Sequence, residues 1–424
     1  HSEQRGKDSS GLIVQNKEKI DVYRSNRPLT DILRKVNFST ANLIAGHSRL
    51  ITNGLEDNQP VYTNNVIVLH NGIIVNSEEL FKELNKPRQK KIDTEIINAL
   101  TEDFLENNQD IDKLGQYILG KCIGVVACAI IIPKIGKLVL FSNNGSLYTG
   151  ELDHNKYFAS EKYGLNLINC SKIKQIKSQQ VIWDFNCSTD KIVENEIASN
   201  RKIILPEISE KLLPEAKLLE YNDCTINRCT KCILTDTMPF IYFDDKGVCN
   251  YCNNYTTRNQ PKPKNELFDL VEKYRRPGNQ LDCIVPFSGG RDSTYGLHLI
   301  VNELKMKPVT YTYDWGMVTD LGRRNISRVC SKLGVENIIV AADIEKKRIN
   351  IRKNLVAWLK KPHLGLMSLL TAGDKHFFRH VEEIKKQTNI DLNLWGVNPM
   401  EITHFKGGFL GIKPDFEEDK VYSN

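Results

Sequence analysis

The chain has 424 residues, 40% of them apolar and 26% charged, a globular composition with too much chain for one ordinary core, so two or three domains are expected. Its 58 Lys and Arg against 52 Asp and Glu leave a formal net charge of +6, and the short basic clusters at Lys86 to Lys91 and Lys346 to Lys353 are diluted by uncharged residues. That balance gives no strong nucleic-acid footprint.

From residue 11 to about 200, short β-branched runs alternate with Asn-Gly signals: LIVQN, NVIVLHNGIIVN, KLVLFSNNGSLYTG and KYFASE. Such runs predict antiparallel hairpins. Between them DTEIINALTEDFLEN at 93–107 puts Ile96, Ile97, Leu100 and Phe104 on one helical face. The longest apolar run, IGVVACAIIIP at 123–133, is short of the roughly 20 residues of a membrane helix and is expected as a buried strand. The first half is therefore expected to be α+β with a mainly antiparallel sheet. Residues 206–223, with two prolines, predict a linker, followed by a cysteine-bearing module at 224–256 and a second linker, NQPKPK. From 265 the rhythm becomes helix (ELFDLVEKYRR), strand (DCIVPF), helix (TYGLHLIVNEL), strand (PVTYTYDW), helix (RRNISRVCSKLG) and strand (ENIIVAA). This alternation predicts a parallel sheet with covering helices. With no apolar leader or cleavage site at the start, a cytoplasmic chain is expected.

The strand DCIVPF runs directly into SGGRDS at 288–293 and then into a helix. Two glycines let the backbone approach a ligand, while Ser288, Ser293 and the first helical amides offer donors to an anion. An ordinary strand-to-helix turn capped by Asp292 fits the same residues. SGGRDS resembles the SGGxDS signature of the ATP pyrophosphatase (PP-loop) superfamily, which adenylates a substrate oxygen and releases pyrophosphate. The resemblance implies ATP with Mg2+ as the nucleotide, held by Ser288, Gly289, Gly290, Asp292 and Ser293. Arg291 fills the variable position, and Asp314, at the end of the next strand, is a weaker candidate.

Eleven cysteines in a long chain without a leader favour metal binding over disulfides. Cys229, Cys232, Cys249 and Cys252 form two C-x2-C knuckles sixteen residues apart, with FIYFDDKGVC supplying a hairpin that turns at Asp244 to Gly247. This is the spacing of a structural zinc ribbon, and four thiolates suit Zn2+. Two unrelated pairs, or a redox C-x-x-C, are the competing readings. Cys224 and Cys283 fall out of pattern and read as small buried hydrophobes.

In the first half, GHSRLITNG at 46–54, LHNGIIVN at 69–76 and DTEI at 93–96 have plain explanations: Asn71-Gly72 as a hairpin turn, Asp93 as a helix N-cap, Arg49 as an exposed strand residue. With RGKDSSG at 5–11 and GSLYTGE at 145–151, their order resembles the class II glutamine amidotransferase domain, of N-terminal-nucleophile hydrolase fold, two antiparallel sheets covered by helices. The His that often precedes the first motif is Gln4 here. The resemblance implies that Arg49 binds the carboxylate and Asp93 the α-amino group of glutamine, with Asn71 and Gly72 as the oxyanion hole. In that family the nucleophile is an amino-terminal cysteine. Here His1 stands four residues before Arg5 and no Cys precedes Cys122, which sits in an apolar run, so truncation at the start is expected.

Residues 224–411, through CTKCILTDTMPFIYFDDKGVCNYCNNY, DCIVPFSGGRDSTYGLHLIVNELKMKPV and LNLWGVNPMEI, resemble the N-acetyl sugar amidotransferases of surface-polysaccharide pathways. Where relatives often have Gly-Glu-Asn, this chain has Gly396-Val397-Asn398, with Glu401 as a substitute. Together the resemblances imply a class II glutaminase domain over 1–205, a linker over 206–223, a zinc ribbon over 224–256 and a carboxy-terminally incomplete PP-loop domain over 265–424. The implied partners are glutamine and a sugar substrate, with homo-oligomerisation left open. Asparagine synthetase has the same two-part arrangement without the ribbon. A tRNA-thiolating enzyme and an inactive zinc-binding scaffold are the alternatives from other classes.

Overall fold

A computed structural model of the chain describes residues 3, 6–16, 19–51, 57–107, 110–185, 191–198, 225–255, 262–316, 318–361, 374–397, 408, 411 and 413–414. Both segments of linker sequence fall wholly or partly outside these, as do Cys224, Asn398 and Glu401. The chain forms two compact units, one of His1–Ile203, Leu270–Ile344 and Phe377–Gly396, the other of Ile204–Asp269, Glu345–His376 and Val397–Asn424.

The first unit begins with β1 (Ser9–Asn16), β2 (Lys19–Ser25), α1 (Leu29–Leu33), β3 (Leu43–Arg49), β4 (Val61–Tyr62) and β5 (Ile67–Ile74). Three helices follow, α2 (Ser77–Glu83), α3 (Glu95–Glu106) and α4 (Leu114–Lys121), and then β6 (Gly124–Ile132) and β7 (Lys137–Ser142). β8 (Tyr148–Leu152), β9 (Asn155–Ala159), α5 (Lys162–Leu167), β10 (Ser171–Gln175), β11 (Gln180–Asp184) and β12 (Ile192–Glu196) complete this half. The strands make sheets of order β12-β2-β1-β3, β11-β7-β6-β5-β4 and β10-β8-β9. Every pairing in them is antiparallel except β12 with β2.

Strand periodicity explains the layering. On β6, Val126, Cys128, Ile130 and Ile132 face a core shared with Ile96, Ile97, Leu100 and Phe104 of α3 and Ile118 of α4. The alternate residues Ala127, Ala129 and Ile131 face a second core with Ile13, Ile20 and Val22 of the opposing sheet. All nine residues of β6 are buried, as an apolar run without polar alternation requires.

The chain continues through α6 (Asn250–Asn253) and α7 (Lys264–Glu272) to β13 (Cys283–Pro286), α8 (Arg291–His298), β14 (Pro308–Asp314), α9 (Asp320–Leu333) and β15 (Glu336–Ala341). β13, β14 and β15 pair in parallel in that order. Residues 392–394 flank β13, with Ile284 N donating to Leu392 O (2.9 Å) and Leu394 N to Ile284 O (3.0 Å). α9 starts where the Thr319 hydroxyl accepts from Gly322 N (3.1 Å) and stops at Gly334, whose φ of +61° suits glycine. The last helices are α10 (Ile344–Lys360) and α11 (Asp374–Thr388).

Several local expectations fail. Asn71-Gly72 is no hairpin turn but lies inside the continuous strand β5, which pairs with β6 across three intervening helices. Likewise Asn144-Gly145 joins β7 to β8 in different sheets rather than closing a hairpin. Asp93 does not cap α3: the N-cap position is Thr94, without a side-chain cap bond, and the Asp93 carboxylate accepts from Ile74 N on β5 (2.8 Å). Cys122 is the closing residue of α4 rather than a strand residue.

Phe104 is fully buried where α3 meets the five-stranded sheet. Phe104→Ala should lower the unfolding free energy by about 3–5 kcal/mol in urea titration. A loss under about 1 kcal/mol would contradict this packing.

Candidate functional site

The polar residues of the first half converge at one end of β3 and β5. Arg49, the last residue of β3, is 4% exposed, and its guanidinium donates to the Asp57 carbonyl. Burial pulls its pKa down, and the surrounding charges of Asp93, Asp57 and Asp8 work against that. The expectation of an exposed strand arginine is therefore corrected. Asp93, 5% exposed, is fixed through one carboxylate oxygen by the Ile74 amide.

Asn71 and Gly72 stand on β5 opposite Ala127 and Val126 of β6. Gly72 has a φ of +150°, and a Cβ there would overlap the Val125 carbonyl, so the position requires glycine twice over. The Asn71 side chain makes no hydrogen bond among the described residues and lines the cavity below.

Two residues beside them escaped the sequence reading. His70 is buried, with Nε2 3.2 Å from Val125 O and Nδ1 3.4 Å from the Thr94 hydroxyl. The Gln59 amide clamps the His70 backbone, accepting from His70 N (2.7 Å) and donating to His70 O (2.8 Å) as a neighbouring strand would. The signal available was the single imidazole closing the otherwise apolar run VIVLH at 66–70.

A cavity of about 460 Å³ opens here, in the size range of small-molecule sites. Arg49, Asn71, Gly72 and Asp93 line it on one side, Thr312 and Asp314 of β14 on another. It therefore gathers the four expected glutamine contacts with Asp314, but not residues 288–293 or the four cysteines. Asp314 is buried in an ion pair with Arg323 (3.0 Å) and accepts from Gly316 N (2.9 Å).

Cys128 also borders the cavity, yet burial pushes its thiol well above the ordinary range, and burial with Asp93 pushes Cys122 up to about 12. Neither has the lowered pKa of a nucleophilic cysteine.

The SGGRDS loop runs from β13 to α8. Ser288 Oγ lies 3.0 Å from Ser293 Oγ, and Ser293 donates to Gly290 O (3.1 Å). Ser288, Gly290 and Asp292 are exposed, so the loop and the first amides of α8 open to solvent. Gly289, with φ +73°, packs on α9: a Cβ there would sit 2.7 Å from Ile326, and its carbonyl accepts from Asn325 Nδ2. Gly396 lies against the first turn of α8, where a Cβ would come within 2.9 Å of Asp292 O.

In the second unit the sulfurs of Cys229, Cys232, Cys249 and Cys252 all lie within 4.8 Å of one another. Burial disfavours the Cys229 thiolate, but the amides of Cys249, Lys231 and Cys232 outweigh it and bring the pKa down to about 6. The turn at Asp244 to Gly247 closes with Gly247 N donating to Asp244 O (2.8 Å) and Asp244 N to Val248 O (3.0 Å). Four sulfurs at this spacing, with amides aimed at them, could hold one metal ion tetrahedrally.

His70 gives the site a pH signature. Burial holds its imidazole neutral, with Asp93 working in the opposite direction, and the net pKa is lowered. The unfolded chain takes up that proton near about pH 6.5 and the native chain does not. The contribution to stability is full above that pH and is lost as pH falls toward the folded value, by up to about 1.4 kcal/mol per pH unit. Wild type should therefore lose more stability than His70→Gln between about pH 6.5 and 5 in denaturant titrations. Parallel curves would remove His70 from the account.

Residues 47–166 match the protein family described as Glutamine amidotransferase domain. A glutamine--fructose-6-phosphate aminotransferase of Thermococcus kodakarensis is 30% identical over 170 residues, covering 38% of this chain and 28% of that protein. An amidophosphoribosyltransferase of Methanocaldococcus jannaschii is 26% identical over 196 residues, 42% of this chain and 41% of that one. The chain thus spans well under half of either relative. Among solved structures, a glutamine phosphoribosylpyrophosphate amidotransferase from B. subtilis is 20% identical over 43% of this chain and 42% of that one, with a TM-score of 0.36. Over residues 47–166 the chain is thus similar to a glutamine amidotransferase domain, and its two curated relatives are both enzymes.

Proposed function

We propose that the chain belongs to a glutamine- and ATP-dependent amidotransferase that turns the acetamido group of an N-acetyl sugar into an acetamidino group. The observation that carries this reading is the single cavity walled by Arg49, Asn71, Gly72 and Asp93 and also by Thr312 and Asp314 of the parallel sheet. In this reading 1–205 is the glutaminase domain, 224–256 a zinc ribbon and 265–424 the ATP pyrophosphatase domain.

Arg49 takes the α-carboxylate of glutamine, and the remaining oxygen of Asp93 takes its ammonium. Asn71 Nδ2 and the Gly72 amide meet the oxyanion of the tetrahedral intermediate, stabilising charge that exists only after attack. The class II resemblance implies an amino-terminal cysteine as nucleophile, a role that Cys122 and Cys128, buried and raised in pKa, do not suit.

In the other half the acetamido oxygen attacks the α-phosphorus of ATP, and pyrophosphate leaves against Ser288, Gly289, Gly290 and Ser293. Mg2+ would accompany the nucleotide and neutralise its phosphates, with Asp292 at the loop to meet it. Ammonia then adds to the imidate carbon, a proton is lost, and AMP departs with the former acetamido oxygen.

With ammonium chloride as nitrogen source, ATP, Mg2+ and a nucleotide-linked N-acetyl sugar should give AMP, pyrophosphate and amidine in equal amounts. Turnover that yields ADP and phosphate instead would overturn the adenylation step.

The four thiols fit Zn2+ in a closed structural site, fixing the two knuckles against each other. Elemental analysis of the purified chain should find one zinc per chain, lost in Cys249→Ser. Iron in its place, or no metal, would defeat this assignment.

A further inference from the structure

α9 touches both sites, and it does so with different faces. Arg324, Ser327 and Ser331, spaced three and four residues apart, share one stripe. Arg324 donates to Val75 O (2.6 Å), and Ser331 accepts from Asn143 Nδ2 (3.1 Å). Asn325 and Ile326 turn toward the phosphate loop, where Asn325 Nδ2 donates to Gly289 O and Ile326 fills the space a Cβ on Gly289 would need.

Ser327 makes the most unusual contact. The register pairs Ile73 with Val125, and two residues along Val75 N donates to Ile123 O, so Ile73 and Val125 stand at a hydrogen-bonded position of the ladder. There the Val125 amide donates to Ser327 Oγ (2.8 Å), and the Ser327 hydroxyl donates to Ile73 O (2.8 Å). A side chain from α9 thus stands in the β5–β6 ladder, one residue from Gly72. Ser327 is 4% exposed, so water does not compete for either bond. His70 Nε2 lies 3.2 Å from the carbonyl oxygen of the same Val125.

We infer that α9 couples the two sites, with Ser327 a positioning residue that sets the oxyanion strand according to whether the 288–293 loop is loaded. A ligand that shifts Gly289 pulls Asn325 through the Gly289 carbonyl, and Asn325 cannot move along the helix axis without carrying Ser327. Because Ser327 bridges Ile73 and Val125, its displacement changes the direction of the Gly72 amide. The inference rests on the reading of the pockets as glutamine and ATP sites.

Calorimetric titration of the full chain tests it, with L-glutamine and α,β-methylene-ATP plus Mg2+ as probes. Saturating nucleotide analogue should shift the glutamine Kd by about fivefold or more, and glutamine should shift the analogue Kd by the same factor. In Ser327→Ala and in Asn325→Ala, on opposite faces of the helix, that factor should fall to about one. A purely structural loss would change the glutamine Kd equally with and without the analogue and leave the factor intact. Should Ser327→Ala fail to fold by thermal melt, Asn325→Ala decides. Wild-type affinities indifferent to the second ligand, or a folded Asn325→Ala that keeps the full factor, overturn the coupling. If one probe does not bind at all, the functional reading of that site falls, and the coupling with it.

Discussion

The pairing of β5 with β6 is the constraint on which the first half depends. β6 is buried on both faces, so it belongs to two cores at once, and its register cannot slip by one residue without exchanging them. That register places Asn71 and Gly72 opposite Ala127 and Val126, which sets the position of the proposed oxyanion groups before any ligand arrives. The glycines at 72 and 124, at φ of +150° and +131°, lie in the same pair of strands where Ser327 enters.

Charge is handled with similar economy. The buried ionised groups that matter to the site all have partners: Arg49 lies among three carboxylates, Asp93 accepts from a backbone amide, and Asp314 is paired with Arg323. Hydrogen bonds and ion pairs replace water around these groups, so the pocket keeps its polar geometry without solvent to support it. Truncating one member would leave the other buried and uncompensated.

The fold was legible where hydrophobic period and spacing decide. The α3 face of Ile96, Ile97, Leu100 and Phe104, the apolar β6 and the alternation from β13 to β15 follow from periodicity, and the four cysteines meet as their spacing implies. Asn71-Gly72 misled because one property, tolerance of positive φ, serves both a tight turn and a close approach of strands. Only the pairing with β6, fifty residues on, separates the two uses. Ser327 was illegible for a different reason: on an amphipathic helix it reads as one more polar residue, and its partners lie 202 and 254 positions away. Gln59 acting as a surrogate strand for His70 leaves no local trace either.

The two glycines of the SGGRDS loop do not carry equal information. Gly289 is held to glycine from inside the protein, by its φ of +73° and by Ile326, whatever the loop binds. Gly290 is not: its φ is −73°, and a Cβ there would meet only Ser288 Oγ at 3.3 Å. Under the proposed reading of the loop as a phosphate site, a chain that had given up its anion would still be obliged to keep the first glycine but free to replace the second. Among relatives, drift at the position of Gly290 rather than Gly289 would thus mark those that no longer hold a phosphate.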